Sequence, residues 1–295
     1  MAGTILSAKC KSTVQFSCAL NQHRSQLPLK PTEIKIGPTQ HPHWASLHAD
    51  VEAHLKLAIP MKEPLVVFEP MHHLVSSAPK TTVPALCLAA CELVGGQRHQ
   101  AMAAASALLL MHATGHAHKH LVPGPKPKPG PYAYSDNIKL LTGDGLVPFG
   151  FELLADSDDP NDENSGRILR VMVEISRAVG SEGLMDALYR ETTLGTRFDG
   201  EELSHVDGVR RVVEKKEGGL HACGAACGAV LGGGSEEEIE RLRRFGFYVG
   251  MMHGMLQMGM KKGEKEVEEA RDMALKELQF FNGRGVGVIS SFIDI

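Results

Sequence analysis

The sequence is poor in aromatic residues, which make up 5% of its 295 positions and include a single tryptophan. So low an aromatic content fits helices packed through small residues better than it fits a β-sandwich. No apolar run approaches the roughly 20 residues that a membrane-spanning helix needs. The net charge of −4 and the pI near 6.4 give no basic excess that would favour nucleic acid or anionic lipid. These absences leave an ordinary globular protein that is long enough to bury a full core.

Cysteine is also scarce, since six cysteines in 295 residues are too few for a disulfide scaffold. Cys10 and Cys18 lie in a segment that we expect to be removed. The other four form two Cys-x-x-x-Cys pairs with small residues between them, Cys87 with Cys91 and Cys223 with Cys227. Helical spacing would place the two Cβ atoms of a pair about 5–6 Å apart, too far for an easy disulfide within the pair.

The surroundings of the two pairs favour packing over chemistry. Structural zinc sites usually use shorter Cys-x-x-Cys loops that curl around the ion. Alanines between the cysteines indicate close helix packing, with the thiols as small, polarizable contacts. We therefore interpret Cys87, Cys91, Cys223 and Cys227 as packing or partner contacts, with a zinc site and a disulfide between the two motifs as open alternatives.

Acidic residues are absent between Met1 and Thr32, whereas four lysine or arginine residues and several hydroxyl residues occur there. This is the composition of an organelle transit peptide, and the segment lacks the continuous apolar core of a secretory signal. We expect residues 1–40 to be a plastid transit peptide that is cleaved, and residues 41–295 to form the folded domain.

From Trp44 onward, apolar residues recur at spacings of three and four, with almost no alternating strand pattern. The pattern predicts an all-α fold, a large single-domain helical bundle. The predicted helices are Trp44–Ile59, Pro84–Val94, His99–His120, Ile138–Leu154, Arg167–Val179, Glu182–Arg190, Glu201–Lys216, Leu220–Leu231, Glu236–Met260 and Glu264–Phe280. A proline-rich stretch, LVPGPKPKPGPYAYS, and an acidic stretch, DSDDPNDENSGR, interrupt them and read as loops.

Three stretches carry a family resemblance: CELVGG, LLTGDGLVPFGFELLA and GAVLGGGSEEEIERLRRFGFYVG, in that order. With the two cysteine pairs, they resemble the trans-isoprenyl diphosphate synthase family, and within it the small subunits of plant heteromeric geranyl diphosphate synthases. The similarity runs from about Trp44 to the C-terminus. It implies the all-α fold of isoprenyl diphosphate synthases, and it associates the cysteine motifs with subunit interaction.

The resemblance also shows what this chain has lost. Active family members hold Mg²⁺ with two aspartate-rich motifs, because hard cations stabilise the departing diphosphate and bind carboxylate oxygens. The positions that correspond to those aspartates are Lys119, His120 and Pro125 for the first motif and Gln257 and Met258 for the second. No ligand carboxylate is present at any of them.

The diphosphate-binding residues implied by the resemblance are also incomplete. Lys80 stands at a family lysine position, but Thr81 occupies an arginine position. Lys216 stands where the family has a Lys-Thr pair, with Glu217 in place of the threonine. We interpret Lys80 and Lys216 as vestigial diphosphate-binding residues, because an anion site without its bidentate donors should bind weakly.

The resemblance implies a non-catalytic, plastid-located subunit that needs no cofactor of its own. Its expected partner is a large subunit similar to geranylgeranyl diphosphate synthase, which supplies Mg²⁺ and the catalytic aspartates. The complex is expected to make geranyl diphosphate, a C10 precursor of monoterpenes, from dimethylallyl and isopentenyl diphosphates. Two alternatives stay open: a weakly active prenyltransferase with a degenerate metal site, and a helical protein that binds metal through histidine and cysteine.

Three further patterns have ordinary interpretations. His112, His116 and His120 recur every four residues and could chelate zinc, but no cysteine or carboxylate lies at ligand spacing beside them. An Asp-Asp-x-x-Asp sequence, Asp158-Asp159-x-x-Asp162, contains Pro160, so we interpret it as a solvated turn. The methionines of MMHGMLQMGM coincide with the lost second motif, and we expect them to fill the mouth of the former cavity.

Overall fold

The computed structural model of the chain describes residues 42–119, 134–158, 164–195 and 202–294. Within these ranges the chain is helical and contains no β-strand. The helices are α1 (Pro42–Ala58), α2 (Leu65–Ser77), α3 (Val83–Leu93), α4 (Arg98–Lys119), α5 (Asp136–Asp156), α6 (Ser165–Val179), α7 (Leu184–Gly195), α8 (Glu202–Val213), α9 (Gly219–Leu231), α10 (Glu236–Gln257), α11 (Lys265–Leu278) and α12 (Gly287–Ser290). A π-helix, Glu214–Gly218, joins α8 to α9, and 3₁₀ turns follow α11 and α12. In the described part of the chain, no helix combines the length and the hydrophobicity that crossing a bilayer requires.

The all-α prediction is confirmed, and the predicted helices correspond to α1, α3 to α11 and the π-helix. Helix α2 was not predicted. Its sequence, LVVFEPMHHLVSS, contains Pro70, which removes a backbone donor and ordinarily breaks a helix. Here Pro70, Met71 and Leu74 are buried, and α2 packs against α4 and α5. Tertiary burial therefore offsets the local cost of the proline.

Helix α10 is shorter than predicted. It begins at Glu236 as expected but ends at Gln257 rather than at Met260. Its start is well defined, because Ser235 and Glu238 form a reciprocal capping box. At its end, Met258 is the C-cap residue and Gly259 has φ near +96°, a conformation that stops the helix and favours glycine.

Helices α3, α4, α9 and α10 form the centre of the bundle. Nearly every residue of α3 and α9 is buried, including those that a surface helix would expose to solvent. A helix that is apolar on all sides needs neighbours on all sides. Helix α9 accordingly packs against α3, α4, α6 and α10.

The two ends of the described chain meet beside these central helices, where α1 and α12 both pack against α3. Trp44, near the start of α1, stacks on Phe292, with their ring centroids 4.8 Å apart. The indole Nε1 of Trp44 donates a hydrogen bond of 2.7 Å to Ser291 Oγ. Phe292 and Ile293 are buried, so the last turn of the chain belongs to the hydrophobic core.

Candidate functional site

The two cysteine motifs face each other across the contact between α3 and α9. All four thiols are free and buried in this chain. Two glycines of α9 and its C-cap glycine lie against three residues of α3, both sets at spacings of four. We name this contact the cysteine–glycine seam: Gly224, Gly228 and Gly232 with Val83, Cys87 and Cys91.

The seam brings two helix backbones into direct contact. A Cβ atom built on Gly228 would lie 1.9 Å from the carbonyl oxygen of Cys87, and one built on Gly232 would lie 2.7 Å from that of Cys91. At Gly224 the corresponding distance to the Val83 carbonyl oxygen is 3.0 Å. Only glycine permits approaches of this kind along a helix.

The thiols in the seam are unreactive small side chains. Burial raises the pKa of Cys91 to about 12, and burial together with the neighbouring thiols Cys91 and Cys223 raises that of Cys87. The Sγ atoms of Cys223 and Cys227 lie 3.7 Å apart, and their hydrogen-bond contact raises the pKa of Cys227. At neutral pH, Cys87, Cys91 and Cys227 are therefore thiols in the metal-free chain, and nucleophilic attack needs the thiolate.

The side chains of all four cysteines are buried within this chain, so they contact helices of this chain. A contribution of Cys87, Cys91, Cys223 and Cys227 to subunit interaction stays a prediction, and it has to act through the placement of α3 and α9 rather than through direct contact.

The end of α4 is where the resemblance places the first metal-binding motif. His118 and Lys119 form the last turn of that helix, while His120 and Pro125 lie outside the described residues. The ammonium of Lys119 donates a 2.8 Å hydrogen bond to Glu191 Oε1 on α7. Instead of a carboxylate that could bind Mg²⁺, this position therefore holds a cation in an ion pair.

Lys216 reaches the same carboxylate from the π-helix. Its Nζ lies 3.2 Å from Glu191 Oε2, so Glu191 is held between two lysines on two other elements. Burial would raise the pKa of Glu191, but the ammonium groups of Lys216 and Lys119 outweigh burial and hold that pKa below its ordinary value. We name these three residues the lysine–glutamate cluster. Sequence reasoning identified both lysines but missed Glu191.

The end of α10 is where the resemblance places the second metal-binding motif. Gln257 is the last residue of the helix and Met258 its C-cap, and both side chains are half-buried. Met251, Met255 and Met260 are also half-buried and pack against the hydrophobic core. The end of α10 therefore presents the thioether groups of methionines and the amide group of Gln257. Neither group is the hard anionic oxygen that Mg²⁺ requires.

The loop before α3 separates Lys80 from the buried interior. Lys80 is exposed, whereas Thr81 and Thr82 are buried. The Thr81 hydroxyl accepts a 3.3 Å hydrogen bond from the backbone N–H of Val83. Lys80 and Lys216 thus have different surroundings, one in solvent and one in an ion-pair cluster.

A buried polar cluster that the sequence did not reveal consists of Thr82, His221 and His253. The Thr82 hydroxyl lies 2.9 Å from His221 Nε2 and 3.2 Å from His253 Nδ1. The opposite ring nitrogens face the carbonyls of Glu217 and Phe292, at 2.7 Å and 3.3 Å. Each carbonyl accepts from a ring N–H, so the unprotonated nitrogen of each ring faces Thr82, whose one hydroxyl proton can be donated to only one of the two rings at a time.

Burial keeps both imidazoles of this cluster neutral. It lowers the pKa of His221 to about 4. It also lowers the pKa of His253 well below the ordinary value, with a further contribution from His221. The cluster ties the N-cap of α3, α9, α10 and the C-terminal turn together.

The remaining candidate metal patterns do not form a site in the described residues. His112 Nε2 lies 2.9 Å from the Pro79 carbonyl, which occupies that ring nitrogen, and burial lowers the pKa of His112. Asp158 accepts a 2.7 Å hydrogen bond from Ser165 Oγ, while Asp159 and Asp162 lie outside the described residues. Across the ranges that the structure covers, no three His, Cys, Asp or Glu side chains converge as a metal site would require.

Comparison with known proteins identifies the fold first. The small subunit of geranyl diphosphate synthase from Antirrhinum majus superposes with a TM-score of 0.77 at 45% identity, covering 86% of this chain and 98% of that one. A chain from a deletion mutant of the mint heterotetrameric geranyl pyrophosphate synthase, solved with ligands, gives a TM-score of 0.75 at 47% identity, covering 87% and 100%. The fold is therefore that of the isoprenyl diphosphate synthases, as predicted.

Sequence comparison then gives the family. No protein-family profile matches the chain. The chloroplastic small subunit 2 of the heterodimeric geranylgeranyl pyrophosphate synthase of Cannabis sativa is 48% identical over 258 residues, covering 85% of this chain and 90% of that protein. The chain belongs to the small subunits of heteromeric prenyl diphosphate synthases. The resemblance found in the sequence is confirmed, as is the plastid localisation.

Proposed function

We propose that this chain is a subunit without prenyltransferase activity of its own, which binds a large subunit similar to geranylgeranyl diphosphate synthase and directs it to make geranyl diphosphate. The Cannabis relative is a subunit of a heterodimeric geranylgeranyl pyrophosphate synthase, whereas the Antirrhinum and mint proteins belong to geranyl diphosphate synthases. These names support the heteromeric role. The Antirrhinum and mint relatives support geranyl diphosphate as the product of the complex.

The observation that carries the proposal is the ion pair between Lys119 and Glu191. Lys119 stands where the resemblance places a metal-binding aspartate, and its ammonium is 2.8 Å from a carboxylate of the same chain. An ammonium at a metal-ligand position repels Mg²⁺ and supplies no lone pair. At the second motif, Gln257 and Met258 add no anionic oxygen, so the described residues do not fit Mg²⁺.

Since these residues do not fit the metal, we assign ionisation of the allylic diphosphate to the large subunit. The Mg²⁺ and aspartates of the large subunit would stabilise the negative charge on the departing diphosphate. Electrostatic stabilisation contributes most at this step of the reaction. This chain then acts on the equilibrium between conformations of its partner, and favours release of the shorter product.

A surface for the large subunit is available on α5 and α6, which are neighbours in the bundle. In the isolated chain these helices expose large apolar side chains, with Leu141 67% and Leu169 63% accessible. Leu140 and Val173 are also exposed. Large apolar side chains exposed on two neighbouring helices make these helices candidates for an interaction surface.

The direct test compares three samples: this chain alone, a plastid large subunit alone, and the purified complex. Each is incubated with Mg²⁺, dimethylallyl diphosphate and isopentenyl diphosphate, and the products are separated by chain length. We expect no product from the isolated chain and a shift towards geranyl diphosphate in the complex. Chelator-sensitive turnover by the isolated chain would instead establish the weakly active prenyltransferase, and bound zinc or another metal in the same sample would support the metal-binding alternative.

A repair variant tests the same proposal from the other side. Lys119→Asp combined with His120→Asp and Pro125→Asp restores acids to the first motif only. We expect this variant to stay inactive, because the second wall still lacks ligands and catalytic groups that act as a unit fail as a unit. Activity equal to that of a competent homologue would show that Gln257 and Met258 do not stand at the positions of the second aspartate motif.

A further inference from the structure

The end of α1, the connector after it and the start of α2 expose a run of large apolar side chains. Five of them lie within residues 57–67, and we name this segment the α1–α2 tip: Leu57, Met61, Leu65, Val66 and Val67. Leu57 is 86% accessible and Val66 is 72% accessible. Exposed apolar residues that are scattered singly need no explanation, but several in one short segment indicate an interaction surface.

The backbone of the tip is held by hydrogen bonds. Ile59 is buried, and its N–H donates a 2.9 Å hydrogen bond to the carbonyl of Leu55. On α2, Nε2 of His72 donates a 2.8 Å hydrogen bond to the carbonyl of Ile59, which ties the connector back to that helix. The N–H of Leu65 donates a 3.3 Å hydrogen bond to Glu63 Oε2. The exposed side chains are therefore presented by a preorganised backbone, which lowers the entropy cost of binding.

The charged residues of the tip and its flanks are balanced in sign. Between residues 56 and 69 they are Lys56, Lys62, Glu63 and Glu69, and all four are exposed. Two lysines against two glutamates give no net positive charge. Anionic membranes and nucleic acids are bound by clusters of lysine and arginine, so the balance of charges favours a protein as the partner of the tip.

A second copy of this chain is the protein partner that these charges fit. In a two-fold contact the same patch of each copy meets the other, so the patch must be complementary to itself. A patch with both signs meets this requirement, because the lysines of one copy can face the glutamates of the other while the apolar side chains pack between them. A patch with charges of one sign would repel its own copy.

We propose that the α1–α2 tips of two copies of this chain bind each other and thereby join two complexes with the large subunit. The inference rests on the proposed function in one respect, the assignment of α5 and α6 to the large subunit, which leaves the tip available in the complex. A standard stable interface uses about 20–30 residues on each side, and the tip is smaller. The contact is therefore weak, and it forms at micromolar rather than nanomolar concentration.

Analytical ultracentrifugation of the complex between this chain and a plastid large subunit, over a series of concentrations, tests this directly. We expect a 1:1 complex at low concentration and a 2:2 complex at high concentration. Leu57→Gln combined with Val66→Gln should raise the dissociation constant of the 2:2 complex at least about tenfold. The matched control is Leu275→Gln, which replaces a leucine on α11 that is also exposed and should assemble as the native chain does.

Lys56→Glu combined with Lys62→Glu provides a second route if the first variant does not fold. It keeps the apolar side chains but makes both copies acidic, so it should also weaken the 2:2 complex, with little effect on the 1:1 complex. Circular dichroism melting establishes which variants are folded.

Three results would overturn the proposal. The first is a native complex that stays 1:1 throughout, or tip variants that assemble as the native chain does. The second is loss of the 1:1 complex in the tip variants, which would assign the tip to the large subunit. The third is binding of the native complex to vesicles of phosphatidylcholine and phosphatidylglycerol that the tip variants lose, which would assign the tip to a membrane. The readout is stoichiometry and not turnover, so the assay of prenyl products remains a separate test of the proposed function.

Discussion

The cysteine–glycine seam and the lysine–glutamate cluster were both indicated by short motifs, yet they are built in opposite ways. In the seam, residues four apart on α3 meet residues four apart on α9, and backbone atoms of the two helices touch. In the cluster, long side chains from α4, α7 and the π-helix meet at half-exposed charges. The comparison shows that the repeated Cys-x-x-x-Cys motif marks rigid helix packing. The position that the resemblance assigns to a metal-binding aspartate, by contrast, holds a lysine in an ion pair.

This difference predicts how each region tolerates change. The seam has no free volume, so added atoms are costly and lost atoms leave small cavities. The cluster has flexible partners and access to water, so single substitutions there should change the local charge much more than stability. Four substitution experiments, from the largest expected effect to the smallest, test this contrast.

Gly228→Ala should have the largest effect. The added Cβ would lie 1.9 Å from the Cys87 carbonyl oxygen, so the two helix backbones must separate. We expect a loss of about 3 kcal/mol or more in the free energy of unfolding, measured with urea. The control is Gly145→Ala on α5, where nothing lies within 4 Å of an added Cβ. That substitution should stabilise the protein by up to about 1 kcal/mol, because alanine is the better helix former. Equal effects at the two glycines would contradict a close-packed seam.

The histidine cluster beside the seam should make stability depend on pH. The unfolded chain protonates His221 near pH 6.5, but the folded chain does so only near pH 4, so the unfolded state binds more protons in between. Stability is therefore present above pH 6.5 and falls with decreasing pH, by about 1.4 kcal/mol per unit for this residue and about 2 kcal/mol by pH 5.

Urea unfolding at pH 7 and pH 5 measures that dependence. His221→Gln should reduce the difference between the two pH values, whereas His99→Gln, at an exposed histidine, should leave it unchanged. If the native protein has the same unfolding free energy at both values, the buried imidazoles are already charged and the proposed tautomers are wrong.

Substitutions of Cys227 separate packing from metal binding. Cys227→Ala should cost about 1 kcal/mol and Cys227→Leu about 1–3 kcal/mol, because the residue is fully buried against α3. We expect affinity for the large subunit, measured by titration calorimetry, to follow the same order, Cys then Ala then Leu. Neither a chelator nor a reductant should alter it. Loss of binding on adding either reagent would indicate a zinc ligand or a disulfide instead.

Lys119→Gln should have the smallest effect on stability. Its ion pair with Glu191 is half-exposed, and pairs of this kind are typically worth less than about 1 kcal/mol. A double-mutant cycle with Glu191→Gln measures the coupling, which should shrink as salt is added. A salt-independent coupling above about 2 kcal/mol would show that the cluster is as rigid as the seam.

The parts of the structure that depend on local pattern could be predicted from the sequence. Apolar spacing located most helices, and small residues between the cysteines indicated the close packing of α3 and α9. Helix α2 was missed because Pro70 is locally unfavourable and only burial against α4 and α5 compensates for it. The π-helix was missed because its register depends on contacts with α7, which a period of 3.6 residues does not encode.

The functional residues divide in the same way. The family resemblance assigns Lys119 to a metal-ligand position and Lys216 to a diphosphate-binding position, so the sequence indicated both lysines. Glu191 could not be found, because it lies 72 positions from Lys119 and carries no motif of its own. Thr82, His221 and His253 are separated by up to 171 positions, and no spacing relates them. Contacts of this kind are created by the fold, so they become visible only when the helices are assembled.

The contact between Trp44 and the C-terminal turn has a consequence for the order in which the molecule can be completed. It joins residues 247 positions apart, so α1 cannot gain its aromatic partner until almost the whole chain is available. In a polypeptide that is synthesised or translocated from its N-terminus, Trp44 of α1 can make these contacts only after Ser291 and Phe292 have emerged. Contacts of such long range are formed late and slowly. The stacked pair therefore makes the packing of α1 depend on the C-terminal turn, which links the stability of the first helix to the far end of the described chain.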